Sequence, residues 1–160
     1  MMLIMKKLEE GAGKICKALV PIKHEYYLGS GKAVAICTLS SIDLLETISK
    51  SSLMNQVLIA GRLLSENKGI DAMMAFTMKH PELKHILVCG KEVKGHRAGQ
   101  ALLALARNGM DLSGRIIGAI GPNPIVTLRA QDVEIFRRQV QIIDQIGTVD
   151  MGKIAQVLVA

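Results

Sequence analysis

Four short runs of aliphatic and β-branched residues, at 33–39 (AVAICTL), 56–60 (QVLIA), 85–89 (HILVC) and 116–120 (IIGAI), alternate along the chain with segments of helical spacing. A strand that is apolar at nearly every position must be buried on both faces, so each side of the sheet needs a layer of helices. Alternation of strand and helix with short links then selects an α/β domain, an open, mostly parallel sheet with helices on both faces and right-handed crossovers. Ligands of such sheets sit outside the carboxyl ends of the strands. The loops after Leu39, Ala60, Cys89 and Ile120 are therefore expected to gather at one edge and to carry the chemistry.

The intervening segments supply the helices. Ser40 and Ser41 are N-cap candidates for a helix over 42–49, with Asp43 placed favourably for its dipole. Residues 61–69 read as a polar connection and 70–79 as a helix in which Met73, Met74 and Met78 fill the core. A helix over 96–107 places Ala98, Leu102 and Leu105 on one face and stops at Asn108-Gly109. Residues 121–124 read as a constrained loop, 130–146 as one long helix, and the tail IAQVLVA as helix or strand. Residues 1–32 are expected to form an N-terminal extension packed on a single domain spanning 1–160.

Composition narrows the function. A chain of 160 residues with 49% hydrophobic content holds one full core and leaves no room for an ordinary second domain. Its formal charge of +6 is spread out, with short basic clusters only at Lys6-Lys7 and Arg137-Arg138. Aromatics make up 2% and Trp is absent, so base-stacking platforms are scarce and a nucleic-acid role is set aside. Cys16, Cys37 and Cys89 form no CxxC and read as reduced core thiols, which points to a cytoplasmic protein. No uncharged apolar run is long enough for a transmembrane segment, and the opening residues lack the order of a signal sequence.

The chemistry concentrates in residues 89–100, CGKEVKGHRAGQ, which put His96 where a strand hands over to a helix. Helix-start amides carry partial positive charge and disfavour an imidazolium, so His96 is expected to be a neutral metal ligand or base. Gly90 and Gly95 have the spacing of a phosphate loop, but His96 and Arg97 stand where Lys and a hydroxyl residue are required. GxGxxG, GxSxG and HExxH are absent, and His24, His80 and His85 read as structural or solvent-facing. Glu92 either orients His96 or is a solvated loop carboxylate. A lone His cannot build a protein-only metal site, which takes three or four ligands. A corrinoid brings its own equatorial nitrogens and needs one axial imidazole, and Gly95 and Gly99 would let a flat ring approach the backbone.

Several motifs in order resemble one family. They are Thr38-Leu39-Ser40-Ser41, Ile59-Ala60-Gly61 followed by Glu66-Asn67 and Gly69-Ile70, residues 87–100 with their EVxGHxxGQ element, 116–124, and 136–144. From about Pro21 to the end the chain resembles the A subunit of tetrahydromethanopterin S-methyltransferase, which carries a corrinoid. The resemblance implies a Rossmann-like domain binding a cobamide (cobalamin or 5-hydroxybenzimidazolyl cobamide) with His96 as lower axial ligand to cobalt. The ring would be surrounded by Thr38, Leu39 and Ser40, by Gly90, Glu92, Val93 and Gly95, by Gly99 and Gln100, and by Gly118, Ala119, Gly121 and Pro124.

The implied role is a methyl carrier between a methyltetrahydropterin-type donor and a thiol or other acceptor. Partner methyltransferase subunits would present the methylated pterin or folate. The chain departs from the familiar cobalamin motif in having Lys94, not Asp, two residues before the His, so that a backbone carbonyl or Glu92 would have to control the imidazole. Arg97 and Pro122-Asn123 also replace small or polar residues. The family's carboxyl-terminal membrane helix has no counterpart here, which implies a soluble homologue or a cytoplasmic domain. The rival reading is a cofactor-free ligand-binding or regulatory module that takes a small anion in the same crevice. A self-contained phosphate-binding enzyme is disfavoured by the missing hydroxyl.

Overall fold

The computed structural model describes residues 25–160, and the opening of the chain with Lys6, Lys7, Cys16 and His24 lies outside them. In chain order the elements are β1 (Tyr26–Leu28), β2 (Val34–Cys37), α1 (Ile42–Ser49), a 3-10 turn (Ser52–Asn55), β3 (Ile59–Gly61), α2 (Lys68–Lys79), β4 (His85–Val88), α3 (Ala98–Asn108), α4 (Ala130–Gln139), β5 (Gln141–Asp144) and α5 (Met151–Val159). The five strands lie in the order β1-β3-β2-β4-β5. All pairings are parallel except that of β1, which closes one edge antiparallel to β3.

Alternation along the strands divides the core in two, because successive side chains of a strand point to opposite faces. Ala35 and Cys37 of β2 and Ile86 and Val88 of β4 pack beneath α2, α3 and α4 with Met74, Leu102, Leu105 and Phe136. Ile36 and Leu87 face the other way, against Leu45 and Ile48 of α1 and Ile154 of α5. The expected α/β architecture with helices on both faces is therefore present. Cys37 and Cys89 are free and buried, and burial pushes both thiols up to about 12. They are core groups, as their apolar setting in the sequence suggests.

Two segments differ from the sequence reading. Residues 116–120 are not a strand, and their surroundings contain only isolated bridges, Met110 to Ile116 and Arg115 to Ile125. Ile116 is buried, but Ile117 and Ile120 are exposed and Gly118 has a φ of +85°, so the apolar run is a loop rather than a doubly covered strand. The missing strand lies inside the supposed helix over 130–146. Helix α4 ends when the Val140 amide bonds to the Phe136 carbonyl, and residues 141–144 then pair with β4. As an edge strand β5 is only half-buried, so its QIID lacks the all-apolar signature that marks β2 and β4. Smaller shifts follow: β3 begins at Ile59 rather than Gln56, and α3 at Ala98 rather than His96.

Gly90, which follows β4, has a φ of +76°. A Cβ there would strike the Thr38 carbonyl oxygen and lie 3.0 Å from the Ser41 side chain. Gly90→Ala is therefore expected to destabilise the domain by about 1–3 kcal/mol. A lower urea midpoint with unchanged slope would register it.

Candidate functional site

The register aligns the carboxyl ends of β2, β4 and β5 through Cys37, Val88 and Asp144, and the loops that leave them are cross-bonded. Ser40 Oγ donates to the Lys91 carbonyl at 2.8 Å, and the Lys91 amide donates to Ser41 Oγ at 2.8 Å. Ser41 rather than Ser40 stands at the N-cap of α1, but its hydroxyl serves this loop-to-loop bond instead of capping the helix. Thr38 and Leu39 are fully buried beneath the loop, with Leu39 at a φ of +52°.

Helix α3 starts without a side-chain cap from its N-cap residue Arg97, which sits in the left-handed region at φ 53°. Glu92 reaches over to fill that role. Its carboxylate accepts from the amides of Val93 (2.8 Å), Gly99 (3.0 Å) and Gln100 (2.8 Å). The amides of the first helical turn thus face Glu92 and not His96, so the basis on which the sequence argues for a neutral imidazole is spent elsewhere, and Glu92 does not orient His96. Gly99 is buried here, and a Cβ on it would lie 2.9 Å from Glu92 Oε2 and from the side chains of Leu39 and Ile146. Glu92→Ala is expected to cost about 1–2 kcal/mol, as loss of an N-cap does. Faster amide exchange at Gly99 and Gln100 than in the rest of α3 would localise the effect.

His96 lies before the helix, exposed, with its side chain 55% accessible, and its partner is Glu66. Nδ1 is 2.9 Å from Glu66 Oε2. Glu66 is 1% exposed and also accepts the Asn123 amide on Oε1 at 3.0 Å. Burial pushes the Glu66 carboxyl up, but its own backbone amide, the Asn123 amide and His96 together outweigh this and hold it below the ordinary range. An anionic carboxylate only accepts hydrogen bonds, so the proton on His96 that faces it must sit on Nδ1. Nε2 points away from that bond and has no hydrogen-bond partner among the described residues.

The loop at 117–124 straps across the same edge. Gln100 holds it at both ends of its amide, donating to the Gly118 carbonyl at 2.8 Å and accepting from the Ile120 amide at 3.1 Å. Asn108 donates to the Ile117 carbonyl, and Asn67 to that of Asn123. Gly121 has no room for a Cβ against the His96 carbonyl. Gly121 and Pro124 are buried, whereas Gly118 and Ile120 are exposed and Ala119 half-buried. The strap thereby joins the Glu66 loop to the His96 loop, bringing Gly95, His96, Gln100, Gly118 and Gly121 into one neighbourhood. Thr38 and Leu39 support it from below.

Sequence reasoning names Glu66 only as part of the motif that follows Ile59-Ala60-Gly61 and gives it no role in the site. Glu66 lies in the polar stretch before α2 beside Asn67, whose Oδ1 caps that helix by accepting the Lys68 amide at 2.6 Å. Among the described residues no group of three or more His, Cys, Asp or Glu could hold a metal ion by itself, and no helix is long and apolar enough to cross a membrane.

A mostly parallel sheet covered by helices on both faces, with one carboxylate-backed imidazole at its carboxyl edge, defines an α/β domain of the doubly wound class, in which that edge is where ligands sit. The family can be stated more closely: the chain belongs to the MtrA family, that of the A subunit of tetrahydromethanopterin S-methyltransferase, whose pattern matches residues 14–159. Methanothermobacter thermautotrophicus has a tetrahydromethanopterin S-methyltransferase A subunit, numbered 2, that is 42% identical to this chain over 99 residues, covering 61% of this chain and 54% of its own length. Its counterpart of the same name in Methanothermobacter marburgensis is 36% identical over 151 residues, covering 89% of this chain and 79% of its own length. The A subunit of Methanocaldococcus jannaschii is 36% identical over 140 residues, 86% of this chain and 56% of its own. The chain thus spans from about half to about four-fifths of the length of these relatives, and the family is one of methyltransferase subunits.

Proposed function

We propose that this chain is the cobamide-binding module of a methyltransferase system, with His96 Nε2 as lower axial ligand to cobalt. The observation that carries the reading is the His96–Glu66 pair: an exposed imidazole whose Nδ1 proton is held by a buried anion has its Nε2 lone pair directed outward, the arrangement of histidines that bind metals. One such ligand suffices only if the metal brings the rest of its coordination, which a corrinoid does. Gly95, with nothing within 4 Å of where its Cβ would stand, leaves open approach beside the imidazole. When bound, a cobamide supplies a cobalt centre that takes up and gives up a methyl group.

The chain's own residues would orient that group. Glu66 keeps His96 in one tautomer, Glu92 and Gln100 fix the loops on either side, and the exposed Ile120 offers an apolar contact. Ser40, Gly90, Val93, Gly118, Ala119, Gly121 and Pro124 complete the surrounding loops, with Thr38, Leu39 and Gly99 packed under them. The relatives' names support methyl transfer from a methylated tetrahydropterin as the reaction class, with partner subunits presenting donor and acceptor. A cytoplasmic setting agrees with the free buried cysteines.

The test is an anaerobic titration with cobalamin followed by absorbance, on the wild-type chain and on Lys94→Ala, which changes an exposed neighbour of His96. Saturable binding by both is expected. Absence of binding in every cobalt oxidation state would favour the cofactor-free module instead.

A further inference from the structure

In a doubly wound sheet the crevice that admits a ligand opens where the strand order reverses. Here that point lies between β2 and β4, because the chain runs from β2 to β3 on one side and returns to β4 on the other. The crevice is shut. The Ser40 amide and hydroxyl both donate to the Lys91 carbonyl, at 3.1 and 2.8 Å, and the Lys91 amide donates to Ser41 Oγ at 2.8 Å. Gly90 lies so close to the Thr38 carbonyl oxygen that not even a Cβ would fit between them. The neighbouring seams are tied as well. The Thr38 amide donates to the Gly61 carbonyl at 2.8 Å and Arg62 Nη2 to the Ser40 carbonyl at 3.3 Å, which joins the loops of β2 and β3. The Gly90 amide donates to the Thr148 carbonyl and the Gly147 amide to the Gly90 carbonyl, both at 2.7 Å, which joins those of β4 and β5. The carboxyl edge from β3 to β5 is thus a bonded floor, and His96 stands on it with its side chain 55% exposed.

We infer that this floor holds a cobamide by its corrin ring alone and leaves the nucleotide tail outside, so that the chain selects no particular lower base and needs none. The inference rests on the cobamide reading and deepens it. A ligand group adds affinity where a pocket buries it, and no seam of the floor is open to receive a tail. The cleft of about 750 Å³ between α2 and the sheet is lined, among the described residues, by neither His96 nor Gly95 nor Gln100. Ser65 lines it, and the next residue, the buried Glu66, stands between it and His96. An ungripped tail also competes with the protein. Its base is the cobalt's own lower ligand in the free cofactor, and that bond is exchanged for one to His96 Nε2 with no change of oxidation state. Only the surplus of gains over such costs shows as affinity, so a better internal base means weaker binding.

The test titrates three Co(II) corrinoids anaerobically into the full-length chain, followed by absorbance. Cobinamide lacks the nucleotide, an adenine-containing cobamide carries a poorly ligating base, and cobalamin carries the strongly ligating dimethylbenzimidazole. Cobinamide is expected to bind at least as tightly as cobalamin, with the adenine cobamide no weaker than cobalamin. Cobalamin binding more tightly than cobinamide would overturn the inference, because the added affinity would have to come from a gripped tail, and would leave the cobamide reading standing. Failure of all three to bind would overturn that reading and this inference with it.

Discussion

Replacing Glu66 by Gln is expected to weaken cobamide binding about 10- to 100-fold, the usual effect of losing the partner that orients a metal-binding histidine. The Asn123 amide needs an acceptor, so the Gln oxygen stays there and the Gln amide group turns toward His96. His96 must then accept on Nδ1 and carry its proton on Nε2, the nitrogen that would bind cobalt. The two chains should differ in acid stability as well. The folded-state pKa of Glu66 is lowered, so its contribution is complete above the ordinary carboxylate value of about 4.3 and is lost as pH falls through the folded value. Glu82, Asp111 and Asp132 are shifted the same way, so only the difference between wild type and Glu66→Gln isolates this residue. That difference, from urea unfolding, should be constant near neutrality and shrink below about pH 4. A pH-independent difference would contradict the assignment.

His96→Ala is expected to have the larger effect on binding, at least the about 100-fold upper figure for an orienting partner, because it removes the ligand itself. Folding should survive. The side chain is 55% exposed, and water can reach Glu66 in its place while the Asn123 bond remains. The same substitution would leave affinity nearly unchanged if the crevice served a small anion without cobalt. Thermal unfolding of the apo chain, run alongside the anaerobic titration, separates lost ligation from lost structure.

The legible part of this molecule was its doubly covered centre. β2 and β4 are apolar on both faces, and such strands announce themselves without reference to the rest of the fold. β5 did not, because an edge strand with a half-buried pattern looks like the continuation of α4. Residues 116–120 erred in the opposite direction, since hydrophobic residues displayed on a strap read like buried ones. His96 could be singled out from its place after β4 and its glycine neighbours. Its partner could not, because Glu66 lies thirty residues earlier and becomes a neighbour only when the loops after β3 and β4 converge. The nearer carboxylate, Glu92, was the natural sequence candidate, and the uncapped start of α3 claims it instead.

The most direct test of the central claim is the spin resonance spectrum of the Co(II) cobamide on the protein prepared with unlabelled and with ¹⁵N-labelled histidine. Nitrogen splitting that changes with the label, and disappears in His96→Ala, is the expected result. Splitting indifferent to the histidine label would show that the axial nitrogen comes from elsewhere, and would contradict His96 as the ligand.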